Sequence, residues 1–214
     1  LQIGIPSAFQ YSLFAFANLF VQSSVNSFDH VLVEGNSAAA NADPLVYDMM
    51  AAFYTACSSF IAQNFGARKK KRILQTYLIC LFYSFITSLV LGVGIYLARY
   101  PFLYLFTSDK AVVEAGITRL SIMALSYSAS AFMDASIAAS RGLGKTAVPT
   151  FVVVMGSCVF RIIWIYTIFA YFHTIQSLYI LYVFSWGITA IAENIYFFHV
   201  YRHTLTGKTE SHLK

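Results

Sequence analysis

Charge is scarce in this chain: Asp, Glu, Lys and Arg together make up 11% of its 214 residues, where a soluble domain carries about 25%. Hydrophobic residues fill the difference at 58%, aromatic residues alone reach 17%, and mean hydropathy is +0.66. A water-soluble globular domain is excluded, and an integral membrane protein is implied. Cysteine is nearly absent as well. Cys57, Cys80 and Cys158 each lie inside an apolar run, so three small packing residues are expected and a disulfide framework is not. The pattern His-Glu-x-x-His is missing, and His30, His173, His199, His203 and His212 fall at loops or helix ends without ligand spacing. No cofactor or metal is expected. Asp29-His30 resembles an acid–base pair, but no Ser or Cys stands in a nucleophile elbow to use it. Gly142-Leu143-Gly144-Lys145-Thr146 lacks the first glycine of a phosphate loop and follows an apolar helix, not a strand. The amino terminus has no charged segment followed by a cleavage site, so the chain is expected to begin within a longer protein.

The cations that are present are strongly clustered. Arg68-Lys69-Lys70-Lys71-Arg72 separates two long apolar segments, and such segments stay cytoplasmic. Taking ~20 apolar residues to cross a ~30 Å hydrocarbon core, six spans follow: residues 5–28, 44–65, 73–98, 112–139, 148–171 and 177–201. A polar tail, 202–214, completes the chain. Short polar connectors join the spans, the longest being 29–43 and 99–111. Of the 14 Lys and Arg, ten then fall on one face, three (Arg99, Lys110 and Arg119) on the other, and Arg161 within the fifth span. The asymmetry predicts that both termini of the segment are cytoplasmic. The net charge of +5 sits in loops where it meets lipid headgroups, which argues for membrane lipids and against nucleic acid as its partner.

Polar residues recur along three spans at helical spacing. Asn18, Gln22, Asn26 and Asp29 mark the first; Asp48, Thr55, Ser59 and Gln63 the second; Ser126, Ser130 and Asp134 the fourth. An unpaired polar group costs several kcal/mol in hydrocarbon, so these stripes face protein or water. Interhelical hydrogen bonding accounts for any one of them; three together point to a water-filled cavity. Ionisable groups within spans are costlier still, about 2.5–3.5 kcal/mol each on insertion scales. Asp134 and Glu193 lie ~8 and ~12 Å from the nearer helix end at 1.5 Å per residue. Either they brace Arg161, or one of them titrates as a cation site.

Several segments make the chain recognisable. Gly4-Ile5-Pro6-Ser7-Ala8-Phe9-Gln10, Asn18, Gln22, Asn26-Ser27-Phe28, Gly35 to Asn41 and Gln63-Asn64-Phe65-Gly66-Ala67 come first in order. Leu105 to Asp109, Arg141 to Thr146 and Arg161-Ile162-Ile163-Trp164 follow. Together they resemble the carboxy-terminal half of bacterial MATE (multidrug and toxic compound extrusion) transporters. The resemblance implies an all-α polytopic membrane protein, six transmembrane helices forming one lobe of a twelve-helix transporter. It further implies an amino-terminal six-helix lobe as partner, location in the bacterial cytoplasmic membrane, and export of amphipathic organic cations against Na⁺ or H⁺. Asp134 falls on the helix where some members keep a carboxylate, about one turn from it. Asp29 and Glu34 depart from the small residues expected there and add negative charge at the rim.

The candidate cavity residues are therefore Asp134, Glu193, Arg161, Asn18, Gln22, Asn26, Asp48, Gln63 and Ser130. Aromatic residues such as Phe9, Phe14, Phe16, Tyr47, Phe53 and Tyr127 offer cation–π contacts to a flat cation, and Gly92, Gly94, Pro6 and Pro149 offer places to bend. A related flippase for lipid-linked sugars would need several cavity bases, and only Arg161 is counted within a span. A membrane enzyme would need a catalytic cluster that the sequence does not contain.

Overall fold

A computed structural model of the chain describes residues 4–204, with side chains at Ala8 and from Ser12 onward. The side chains of Pro6, Phe9 and Gln10 and the tail beyond Thr204 lie outside the described residues. The fold is all-α. Its helices are α1 (Gly4–Val25), α2 (His30–Ala40), α3 (Ala42–Gly66), α4 (Lys70–Leu97), α5 (Arg99–Tyr104), α6 (Lys110–Gly142), α7 (Ala147–Phe172) and α8 (Ile175–His203). Among the described residues five stretches are long and apolar enough to cross a membrane: α2 with α3, then α4, α6, α7 and α8. In α1 the described apolar stretch is shorter, Ser12–Val25.

The connector expected over 29–43 is not a loop. Asp29 caps α2, its carboxylate accepting from the Leu32 amide at 2.9 Å, and the Ala38–Ala40 run has high helix propensity. Its polar composition misleads because α2 is two-faced. Gly35, Asn36, Ala38 and Ala39 are buried, while Glu34 and Asn41 face outward. Likewise α5 occupies part of the 99–111 connector.

Two backbone features fix the packing. Helix α6 is central, burying residues from Val112 to Gly142 against α2, α3, α4 and α8. At Gly92 the α4 backbone meets the α6 carbonyl of Ala124 so closely that a Cβ would collide with it, whereas the Cβ direction of Gly94 is open. Gly92 is thus a contact point between helices. Helix α7 is irregular: it widens to π geometry over Val154–Val159 and Ile165–Phe169, leaving one regular α segment, Phe160–Trp164, between them.

Interior polar groups tie helices together. The Tyr77 hydroxyl on α4 donates to Asn194 Oδ1 on α8 at 2.7 Å and lies 3.0 Å from Ser136 Oγ on α6. Trp164 Nε1 on α7 donates to the Ser177 carbonyl on α8 at 3.1 Å. These bonds satisfy groups that hydrocarbon would leave unpaired.

Candidate functional site

A cavity of 1060 Å³ runs along the interior of the lobe. Its walls come from α1, α2, α3, α6, α7 and α8, and seven aromatic rings line it: Phe14, Tyr47, Tyr54, Tyr127, Tyr179, Tyr182 and Trp186. Asp43 and Ser59, both in the α3 wall, stand ~24 Å apart at 1.5 Å per residue, so the cavity extends through most of the thickness of a bilayer core.

Each end carries a group of charges. Away from the basic loop, Arg119 of α6 donates through Nη2 to Asp43 Oδ2 on α3 and through Nη1 to Asn36 Oδ1 on α2 at 2.8 Å. The second Asp43 oxygen accepts from the Tyr127 hydroxyl, so both carboxylate oxygens are occupied. Toward the basic loop, Asp134 and Arg141 of α6 line the wall two turns apart with Ser58 and Ser59 opposite.

The sequence-derived candidates divide sharply. Asn18, Gln22, Ser130 and Asp134 line the cavity. Asn26 does not: it is exposed, and its Oδ1 accepts from Gln22 Nε2 at 2.9 Å. Each four-residue step drifts ~40° around a 3.6-residue helix, so the α1 stripe has left the cavity within two steps. On α3, Thr55 and Ser59 line the cavity, whereas Gln63 is exposed in the last turn and Asp48 is exposed outside the lining residues.

Arg161 and Glu193 are fully buried behind the wall and do not line it. The brace expected between Arg161 and an acid does not form. Its Nη1 donates to Asn18 Oδ1 at 2.7 Å and its Nε to Ser185 Oγ at 3.3 Å, and its guanidinium lies against the rings of Phe14 and Tyr182. Both Glu193 carboxylate oxygens are buried without a hydrogen-bond partner among the described residues.

Sequence reasoning missed Asn36, Asp43, Arg119 and Arg141, all of which line the cavity. Arg119 was expected among the surface charges of one face, yet it lies about two and a half turns inside α6, at 3.6 residues per turn, and is buried. A base about two turns inside the fourth span, with Asp43 beside Pro44 in the first turn of α3, is the signal that was present.

The MatE family profile matches residues 6–167. The chain belongs to the MatE family. No curated protein matches it. Solved structures share the fold of this MatE chain. Vibrio cholerae VcmN in its bent form is 19% identical, with TM-score 0.85, covering 95% of this chain and 46% of that one. ClbM, a MATE transporter in complex with Rb⁺, is 18% identical with TM-score 0.81, covering 96% and 46%. A MOP superfamily transporter from Pyrococcus furiosus, described as having a binding pocket of reverse polarity, is 19% identical with TM-score 0.77, covering 97% and 48%. The MatE chain thus spans about half the length of these transporters and corresponds to one lobe.

Proposed function

We propose that this lobe is the carboxy-terminal half of a cation-coupled exporter of amphipathic organic cations, working with an amino-terminal six-helix lobe in the bacterial cytoplasmic membrane, both termini of the segment cytoplasmic. One observation carries the reading: Asp134 lines an aromatic-walled cavity and, among the described residues, has no ion-pair partner within 4.0 Å. A carboxylate removed from bulk water needs a counter-charge, and Arg141, two turns along α6 on the same wall, attracts it through space. Na⁺, H⁺ and an organic cation compete for it, and exchange follows from that competition. The rings supply apolar area and cation–π attraction for a flat cation. That the MatE relative ClbM has been seen with a monovalent cation, Rb⁺, supports coupling to an ion of this class.

A second reading, a flippase for lipid-linked sugars carrying phosphate, draws on the two arginines that line the cavity, Arg119 and Arg141. The distinction based on Arg161 alone is thereby lost. Arg119, however, is already engaged by Asp43.

Reconstituted full-length protein tests both readings. Efflux of a fluorescent organic cation driven by an imposed Na⁺ or H⁺ gradient supports export. Gradient-independent movement of a lipid-linked phosphosugar, with no cation efflux, supports the flippase.

A further inference from the structure

Arg161 presents an unsolved charge problem. Its side chain has 0% exposure, and arginine stays protonated in proteins, so deprotonation cannot relieve the burial. Each partner it does have is neutral. Asn18 Oδ1 accepts from Nη1 at 2.7 Å, Ser185 Oγ accepts from Nε at 3.3 Å, and the Phe14 and Tyr182 ring centroids lie 4.7 and 4.5 Å from the guanidinium carbon. These dipoles and ring faces attract a cation but do not neutralise it. Nη2 is buried and has no hydrogen-bond partner among the described residues.

Position gives that orphan group a meaning. Phe14, Asn18 and Tyr182 are all cavity-wall residues, so the guanidinium stands one side-chain layer behind the cavity. The regular segment that bears it, Phe160–Trp164, is bracketed by the two π segments, and such irregular turns concentrate at functional sites.

We propose that Arg161 anchors an anion site at the cavity wall, in which one compact negative charge accepts from Nη2 once the Asn18 side chain turns aside. The ligand chemistry is a monoanion, either a free halide or the carboxylate of an amphipathic solute in the cavity. The site does not depend on the export reading: an exporter of cations without it would still exchange, and a chain with it would bind anions whatever it carries.

Radiolabelled chloride, equilibrated with the purified full-length protein at constant ionic strength against a bulky sulfonate, reads the site directly. Wild type is expected to bind chloride saturably, one ion per chain. Asn18→Asp places a carboxylate beside Nη1 in nearly the same shape, supplies the missing counter-charge and should weaken chloride binding by about ten-fold or more. Arg161→Gln should abolish it. Because Asn18→Asp keeps the guanidinium and its packing, its result stands even where Arg161→Gln fails to fold. Adding 1-naphthoate separates the sources. Competitive displacement of chloride assigns the site to a solute's own carboxylate, and failure to displace assigns it to a resident inorganic ion. Absence of saturable binding by either probe overturns the proposal, as does chloride binding by Asn18→Asp equal to wild type.

Discussion

Arg119 and Asp43 close an ion pair between α6 and α3 at the end of the cavity away from the basic loop, and Tyr127 occupies the second Asp43 oxygen. Asp43→Ala leaves a buried guanidinium without its counter-charge, since Arg119 is 7% exposed. The Asp43 side chain is itself 36% exposed, which discounts the loss to about 2 kcal/mol. Thermal unfolding in detergent checks this. The double variant Asp43→Leu with Arg119→Met should recover most of the lost stability; a double variant as unstable as the single would show that the pair is not what holds these helices.

Asp134→Asn should leave expression and unfolding temperature unchanged while lowering gradient-driven cation efflux from proteoliposomes by at least ~10-fold, the equivalent of about 1.4 kcal/mol in the barrier. Unchanged efflux would remove Asp134 from the mechanism.

Two glycines two residues apart should behave oppositely. In Gly92→Ala the new methyl meets the Ala124 backbone, which cannot yield without separating α4 from α6, and about 1–3 kcal/mol is lost to overpacking. Gly94→Ala has no heavy atom within 4 Å of its new methyl, and better helix propensity should leave stability equal or slightly higher. Unfolding temperatures measured side by side decide it.

Tyr77→Phe removes the hydroxyl that joins α4 to Ser136 and Asn194. The lost bond to the Asn194 oxygen should cost about 1–2 kcal/mol. Because the ring contact with Phe197 at 4.3 Å between centroids survives, the fold should persist. A loss above ~3 kcal/mol would mean the bond organises more of the bundle than its own energy.

The long apolar helices were legible because length and hydropathy are properties of a segment alone. Helix α2 was not, since Glu34, Asn36, Ser37 and Asn41 give it the composition of a loop and only its burial against α6 shows that Asn36 points inward. The cavity was half legible. Stripe residues Asn18, Gln22, Ser130 and Asp134 reach it, but Asn26 shows how quickly a four-residue spacing precesses off one face. Arg119 and Asp43 escaped notice because their meaning lies in a pairing 76 positions apart in the chain, which no local pattern encodes.

The two wide turns of α7 each hold a residue more than a regular helix needs. Phe160–Trp164 sits between the two of them, so the direction in which Arg161 leaves the rod is offset from the one an unbroken α-helix would give it. The fifth long helix is thus wound with two coarser threads, and the side chains between them keep a bearing of their own against the rest of the rod.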